Sequence, residues 1–388
     1  MYVRAKQSED DHVRRFQPSD HPVDQIKRLG RYAILRLQRM RYAFSEDPTL
    51  DAFTDDRSRF AGEVILQLPA SDLYHLHWIS SFIDIGTFFE RTTRPIVWTL
   101  HDMNPFTGGC HYTRSCTQHV DVCGPCPQLG SSSANDLSRA IFERKRSALA
   151  PAIREQRLHI VAPSNWLAEE ARESRLLGDA PVHMIPHGLD HDLFRPVPSS
   201  KSRVRLGIPP DHTVLVFIAA STDNDRKGGA YLAEALERID VPNTTVLSIG
   251  KKRPRFQSRL HHVHAGYIDD DTELAALYSL ADIAVVPSMQ EAFGQTVLEA
   301  MACGTPVVGF AAGGIPDMIR PGRTGWLSET GRVASLRKKI QEALTSDEAR
   351  RRMARQCREV VEAEYTLEVQ AKRHIELYES ILAQHPVS

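Results

Sequence analysis

Seven short apolar runs, separated by stretches of helical periodicity, constrain the fold of this chain more than any other feature. Each run is rich in β-branched residues and nearly continuous in apolar character, which is typical of a parallel strand buried on both faces. Helix candidates such as KGGAYLAEALERI and TELAALYSLA lie between them. This alternation predicts doubly wound α/β domains. The runs are PIVWTLHD (95–102), LHIVAPSNW (158–166), VHMIPHG (182–188), TVLVFIAAS (213–221), TTVLSIG (244–250), DIAVVPS (282–288) and TPVVGF (305–310).

The 388 residues are enough for two domains with full hydrophobic cores. The segment 194–210 is rich in proline, serine and basic residues, so we predict a linker there. The predicted domains are an N-terminal domain at 1–193 and a C-terminal domain at 194–365. A final helix at 366–388 is expected to pack back on the first domain.

Composition excludes several classes of partner. The net charge of −1 gives no global attraction to nucleic acid, and we expect no nucleic-acid partner. The chain has no run of about 18 apolar residues, so we expect no transmembrane helix. The first residues, MYVRAKQSEDDHVRRF, lack the apolar core of a secretory signal, so we expect a cytoplasmic protein.

Residues 23–44 combine basic and apolar residues at helical spacing. Lysine and arginine at 27, 28, 31, 36, 39 and 41 interleave with isoleucine, leucine and methionine at 26, 29, 34, 35, 37 and 40. Such a helix either makes peripheral contact with the inner face of an anionic membrane or covers the domain with its apolar stripe in the core.

The most informative segment for chemistry is 288–327. Glu291 and Glu299 flank a predicted helix start, where backbone N–H groups and the helix dipole favour an anion. Eight residues of helix rise about 12 Å, so the two carboxylates can hold hydroxyls at opposite ends of a long ligand. Arg226 and Lys227 follow a buried strand, where cations suit a diphosphate that gains charge as it leaves.

These blocks resemble retaining glycosyltransferases of family 4, which have the GT-B fold of two Rossmann-like domains that face a cleft. The resemblance spans about residues 95–385, and it implies an acceptor-side domain at 1–193 and a nucleotide-sugar-binding domain at 194–365. In the first half, the CHY (110–112) and CGPCP (123–127) block resembles bacterial enzymes of the colanic-acid, exopolysaccharide type. The blocks that carry it are IPHGLDHDLFRP (185–196), DRKGG (225–229), AGYIDDDTELAALYSLADIAVVPS (265–288), EAFGQTVLEAMACGTPVV (291–308), GGIPDMI (313–319) and GRTGWL (322–327).

The resemblance implies a role for each matching residue. Arg226 and Lys227 neutralise the donor diphosphate, Glu291 faces the sugar hydroxyls, and Glu299 holds the ribose. The implied donor is a UDP- or GDP-linked sugar, the acceptor is a glycan or lipid-linked hydroxyl, and no catalytic metal is expected. The further donor-binding positions are Phe293, Gly294, Gln295 and Thr296 at the sugar and phosphate, and Tyr267 and Ile268 in the nucleobase loop.

Histidines end two strand-like stretches of the first half, LYHLHWIS (73–80) and the run at 95–102. In an open α/β sheet, ligands bind beyond the carboxyl ends of the strands. The resemblance implies that His101 contacts the donor sugar, and we place His75, His77 and Asp102 on the acceptor side. The alternative is a set of hydrogen-bonded structural histidines.

The first half also departs from the family pattern. The opening residues resemble the region that follows the family's first strand and Gly-rich loop, which implies either a misplaced or truncated start or an adapted fold. A truncated, non-catalytic homologue that binds nucleotide sugar and a GT-B nucleotide-sugar epimerase are therefore alternative functions. A metal-dependent transferase is disfavoured. DHD (190–192), DND (223–225) and DDD (269–271) match the DxD motif, but so short a pattern is common in a chain with 49 acidic residues.

Four cysteines cluster in the loop after His101, with spacing C-x5-C-x6-C-x2-C. Tetrahedral structural zinc is the first reading, with His111 or His119 able to replace one thiolate, and disulfides or free thiols are the others. Redox catalysis is disfavoured, because the CGPC sequence continues into loop residues and not into a helix. We expect this segment to hold the loop in shape. The cysteines are Cys110, Cys116, Cys123 and Cys126.

Overall fold

The structure is a computed structural model that describes residues 1–4, 9–42, 52–219 and 225–385. It divides into two compact units. Unit 1 comprises Met1–Ala162, Leu167–Met184 and Glu376–Ser388, and unit 2 comprises Pro163–Trp166 and Ile185–Ile375. Among the residues described, no helix is both long enough and apolar enough to cross a membrane.

Unit 1 is built on a four-stranded parallel sheet of order β3-β4-β5-β6. In register, Ile96 of β4 pairs with Tyr74 of β3 and with Leu158 of β5. The strands of the unit are β1 (Tyr2–Val3), β2 (Arg14–Arg15), β3 (Tyr74–His77), β4 (Ile96–Thr99), β5 (Leu158–Ala162) and β6 (Val182–Met184). Its helices are α1 (Pro22–Met40), α2 (Glu63–Leu66), α3 (Ile85–Arg91), α4 (Leu137–Arg154) and most of α5 (Asn165–Glu173).

Unit 2 holds a six-stranded parallel sheet of order β12-β11-β10-β7-β8-β9. Its strands are β7 (Thr213–Ile218), β8 (Thr244–Ile249), β9 (His261–Gly266), β10 (Ile283–Val286), β11 (Val307–Phe310) and β12 (Gly325–Ser328). Its helices are α6 (Ser200–Arg205), α7 (Gly229–Leu236), α8 (Asp271–Leu280), α9 (Gln295–Ala302), α10 (Ile315–Met318), α11 (Val333–Thr345), α12 (Asp347–Glu364) and the first part of α13 (Leu367–Gln384).

The continuous apolar runs of unit 2 are explained by cores on both faces of its sheet. Along β7, Val214 and Val216 belong to one core, whereas Leu215 and Phe217 belong to the other. Successive side chains of a strand point to opposite faces, so a strand covered on both faces needs an apolar residue at every position. The prediction of doubly wound α/β units is confirmed.

All seven apolar runs contain strands, but two strands of unit 2 lie outside them. β9 has the sequence HHVHAG and is an edge strand, where half-exposed histidines are tolerated. The prediction of a linker at 194–210 is wrong, because this segment lies within unit 2, where Phe194 and Ile208 are buried in the core. The division falls at 184/185 and within α13 at 375/376.

Candidate active site

The basic and acidic residues of unit 2 come together where β7 and β10 end. These two strands are hydrogen-bonded neighbours, with Ile283 opposite Leu215. Arg226 and Lys227 follow β7, and Glu291 follows β10. Because parallel strands end at the same edge of a sheet, both loops leave the sheet side by side.

Glu291 holds both cations with one carboxylate oxygen. Lys227 Nζ lies 2.6 Å from Glu291 Oε2, and Arg226 Nη1 lies 3.5 Å from the same atom. Arg226 also donates to the carbonyl of Gln290 at 2.9 Å. The two cations and one carboxylate carry a net charge of +1, so this group can receive an anion whose negative charge increases during a reaction.

A glycine allows the two loops to approach so closely. The φ angle of Gly228 is +71°, and a Cβ at this position would lie 1.8 Å from the carbonyl oxygen of Pro287. The N–H of Met289 donates to the carbonyl of Arg226 at 2.7 Å. Arg226 and Lys227 are therefore held against the β10 loop by backbone contacts, which only glycine at position 228 permits.

The start of α9 lies beside this group. Gly294 precedes the helix with no side-chain cap, and Gln295 and Thr296 form its first turn. The first N–H groups of a helix have no partner within the helix and form the positive end of its dipole. Gly313, with φ +54°, lies so close to Glu291 that a Cβ there would be 2.1 Å from the Glu291 carbonyl oxygen.

Glu299 has an environment unlike that of Glu291. It lies on α9 and accepts a hydrogen bond from the Tyr278 hydroxyl at 2.8 Å. Burial raises the pKa of Glu299 to about 7, and the Tyr278 hydrogen bond opposes this shift. Glu291 lies in the loop before the helix, so the structure separates a carboxylate paired with cations from one that can be neutral near pH 7.

The predicted nucleobase residues follow β9, at the edge of the sheet. Tyr267 is 55% exposed, and Lys251 Nζ lies 5.3 Å from its ring centroid. Ile268 packs against the core of unit 2 and supports this loop from below. An exposed aromatic ring at the carboxyl edge of the sheet can stack on a base, but its role stays a prediction.

In unit 1, the predicted histidines line a cavity of about 900 Å³ together with Trp78. His77 Nδ1 lies 3.0 Å from His101 Nε2. His75 is fixed by the Tyr378 hydroxyl at 2.6 Å and by Thr99 Oγ1 at 2.7 Å. Burial lowers the pKa of His101, and Asp102 partly opposes this shift. Neutral imidazoles of this kind can both donate to and accept from sugar hydroxyls.

Asp102 is buried and does not line this cavity. Its carboxylate accepts from His111 Nδ1 at 2.6 Å and from the N–H of Asn104 at 2.8 Å. His111 Nε2 in turn lies 2.9 Å from Thr54 Oγ1. The structure therefore gives Asp102 a bracing contact inside the loop that follows His101, and it does not bring Asp102 together with the three histidines.

The four cysteines are free thiols around one small space of about 20 Å³. Cys110, Cys123 and Cys126 are buried, and Cys116 is half-buried. Burial raises the pKa of Cys123 to about 12, which makes the thiol a poor nucleophile and agrees with our rejection of redox catalysis. Within the described ranges, no group of three or more His, Cys, Asp or Glu residues is arranged to hold a metal ion. Structural zinc at the cysteines stays a prediction.

Hydrogen bonds also brace the cysteine loop. The buried ammonium of Lys145, on α4, donates to the carbonyls of Asn104 at 2.5 Å and Thr107 at 3.1 Å. The carboxylate of Asp136, which caps α4, accepts from the N–H of Cys126 at 2.8 Å. Buried polar contacts with α4 therefore hold this loop in shape.

Sequence reasoning missed two residues beside the unit 2 group. Ser164 Oγ donates to the carbonyl of Ala292 at 2.6 Å, and the His187 ring lies 5.2 Å from the ring of Phe293. Both residues follow strand runs, Ser164 after β5 and His187 after β6. Their position just beyond strand ends is the signal that could have identified them.

Comparison with known sequences finds matches to the second half of the chain. Residues 199–360 match the family model of the glycosyl transferases group 1. The chain is 35% identical over 181 residues to D-inositol 3-phosphate glycosyltransferase 2 of Catenulispora acidiphila, a match that covers 41% of this chain. It spans 42% of that relative, which is less than half of the relative's length.

Two solved structures show which fold this chain shares. Sucrose-phosphate synthase from Thermosynechococcus elongatus has a TM-score of 0.61 and 24% identity, and the match covers 81% of this chain and 74% of that one. Anabaena HepE, solved in complex with UDP and glucose, has a TM-score of 0.58 and 19% identity, with coverage of 80% and 78%. The fold is therefore GT-B, and the match to the glycosyl transferases group 1 family is confined to residues 199–360.

Proposed function

We propose that this protein is a retaining glycosyltransferase that moves a sugar from a nucleotide diphosphate sugar to a hydroxyl of a glycan or lipid-linked acceptor. The observation that carries the proposal is the contact of Arg226 and Lys227 with Glu291, beside the start of α9. Two cations and a helix N-terminus together suit a diphosphate.

The proposed reaction requires little acid–base catalysis by the protein. The bond between the anomeric carbon and the diphosphate oxygen breaks, and the acceptor oxygen bonds to the same face of that carbon. The acceptor proton passes to the departing diphosphate, so the charges balance without a protein nucleophile. Arg226 and Lys227 stabilise the diphosphate as its charge increases, and Glu291 positions them and the sugar hydroxyls.

Two further residues select the donor. In this proposal, ionised Glu299 accepts hydrogen bonds from the ribose hydroxyls, and the base stacks on Tyr267. The UDP and glucose bound to HepE support a nucleotide sugar as the donor class. Both UDP- and GDP-linked sugars belong in the first screen, and no catalytic metal is required by this mechanism.

The acceptor is proposed from two observations. The CHY and CGPCP block of unit 1 resembles enzymes of surface polysaccharide synthesis, and this resemblance implies a glycan or lipid-linked acceptor and peripheral contact with the membrane. The relative from C. acidiphila is named for D-inositol 3-phosphate, which makes a phosphorylated polyol the second acceptor class.

A donor screen tests the proposal. A true donor present at 100 times its dissociation constant stabilises the folded chain by about 2.7 kcal/mol, which a thermal melt detects. Lys227→Ala should abolish this protection, while Lys201→Ala, a change at an exposed position of α6, should keep it. Protection without sugar transfer to any acceptor would favour the non-catalytic homologue, and inversion of a sugar hydroxyl in the donor would favour the epimerase. No protection by any nucleotide sugar would contradict all three.

A further inference from the structure

Helix α1 turns its apolar stripe away from the core, which is unusual for a surface helix of a globular protein. None of its 19 residues is buried, and all of its large hydrophobic residues except Leu35 are exposed. Of the sixteen exposed large hydrophobic residues in the described part of the chain, seven lie on this one helix. A surface helix normally turns its apolar stripe to the core, so an outward stripe calls for a partner.

The outward stripe is continuous along the helix. Ile26, Leu29, Ala33, Leu37 and Met40 are spaced by three or four residues and therefore share one face. Ile26 is 68% exposed and Leu37 is 62% exposed. The stripe from Ile26 to Met40 is about 21 Å long at 1.5 Å per residue.

Polar contacts fix the opposite face of α1 against unit 1. Arg28 Nη1 lies 2.6 Å from Glu63 Oε2, and Arg28 also donates to the carbonyl of Ser19 at 2.6 Å. Arg57 Nη2 donates to Gln38 Oε1 at 2.5 Å. These bonds lie near both ends of the helix, so they hold its polar side inward and leave the apolar stripe outward.

The charge around the stripe identifies the partner. The helix carries five cations and one carboxylate, Asp24, which is already bonded to the Ser19 hydroxyl. Arg36 and Arg39 line a cavity of about 640 Å³ whose wall also holds Arg4, Arg57 and Arg59. A second copy of the chain on this face would bring two sets of cations together. An anionic bilayer neutralises them and accepts the apolar side chains.

We propose that α1 docks unit 1 on an anionic membrane surface, with the stripe from Ile26 to Met40 in the acyl boundary. Arg36 borders the stripe, three residues from Ala33 and four from Met40, and Lys27 lies on its other side. Both cations meet the lipid headgroups. This inference concerns binding alone. It does not depend on the transfer reaction, so it can fail or hold without regard to the proposed activity.

Vesicle sedimentation of the full chain tests the proposal without any donor. We expect binding to phosphatidylcholine vesicles that contain about 30% phosphatidylglycerol, weak binding to phosphatidylcholine alone, and loss of binding in high salt. Leu29→Glu with Leu37→Glu should weaken binding at least about tenfold, because two buried leucines become charged. Lys27→Gln and Arg36→Gln should each weaken vesicle binding about fivefold, since a cation near the surface contributes about 1 kcal/mol.

The matched control is Val204→Glu, which changes a residue that is 81% exposed on α6 of unit 2. This variant should bind vesicles like the unaltered chain. Equal loss with Val204→Glu, or no preference for anionic vesicles, would overturn the proposal. So would a dimer in lipid-free solution that the Leu29→Glu, Leu37→Glu variant dissociates while vesicle binding is unchanged, because a second copy would then cover the stripe.

Discussion

The two units have the same kind of parallel sheet but place opposite chemistry at its carboxyl edge. Unit 2 presents permanent charge, with Arg226 and Lys227 gathered on Glu291. Unit 1 presents His75, His77 and His101, and burial lowers the pKa of His101. Under the proposed function, this difference predicts a division of work, in which unit 2 stabilises a charged leaving group and unit 1 offers neutral hydrogen-bonding groups to sugar hydroxyls.

The strongest test of this comparison is to remove the charge from unit 2. Lys227→Ala should lower kcat/KM about 100- to 1000-fold, the usual cost of losing a group that stabilises a developing anion. Thermal stability should change little, because Lys227 is partly exposed and its ion pair contributes about 0–1 kcal/mol.

Arg226→Ala should behave in the same way as Lys227→Ala, and Lys201→Ala on α6 is the control. Assays should use the best donor from the thermal screen, with kcat and KM measured separately. Turnover within about threefold of the unaltered chain would show that the diphosphate is not held by this pair.

Glu299 gives a second test, because it is the one carboxyl of the proposed donor site whose pKa is raised, to about 7. Between about pH 4.5 and 7 the folded state binds its proton more tightly than the unfolded state, so this group lowers the free energy of unfolding as pH rises. The loss is at most about 3 kcal/mol, and it is smaller to the extent that water reaches the half-buried carboxyl. Donor affinity should rise over the same range, since ribose hydroxyls donate to the ionised form.

Glu299→Gln separates stability from binding at this position. The variant should be more stable than the unaltered chain at pH 8 and similar to it at pH 4, yet bind donor at least about tenfold more weakly at pH 8. Thermal melts over the pH range, with and without nucleotide diphosphate, measure both quantities. A variant that is less stable at pH 8 would show that the carboxylate is a structural group.

In unit 1, His101→Ala should reduce transfer about 10- to 100-fold while donor binding to unit 2 is nearly unchanged. Because the pKa of His101 is lowered, the imidazole is already neutral at pH 7, and its contribution should not change between pH 7 and 9. A kcat that falls while the dissociation constant of the donor stays constant would support the division of work. An equal loss of donor binding would contradict the division of work and favour the contact with the donor sugar that the resemblance implies.

The sequence predicted the strands and the charged group of unit 2 well, because both follow from local patterns. Seven continuous apolar runs contain strands, and residues just beyond strand ends must meet at one edge of the sheet. The prediction failed for β9 and for 194–210, because the local pattern there does not reflect the environment. β9 is an edge strand, which tolerates histidines, and the proline-rich segment 194–210 still buries Phe194 and Ile208.

Side-chain direction was the part that the sequence could not provide. Asp102 directly follows His101, yet the two side chains lie in different surroundings, one in the loop interior and one at the cavity. For α1, the periodicity predicted an apolar stripe without indicating whether it faces the core or solvent. In both cases the answer depends on contacts with residues distant in sequence, such as Thr54 and Glu63.

The smallest expected effect concerns the brace behind His101. Asp102→Asn should lower the free energy of unfolding by about 1–3 kcal/mol, because the buried carboxylate accepts from both His111 and the N–H of Asn104. Transfer should fall less than tenfold, since His101 itself is retained and only its support is weakened. Asp72→Asn, at an exposed position in the same unit, is the control. A loss of transfer as large as that of His101→Ala, with stability unchanged, would mean that Asp102 acts on the substrate, and it would restore the acceptor-side role that its position in the sequence predicted.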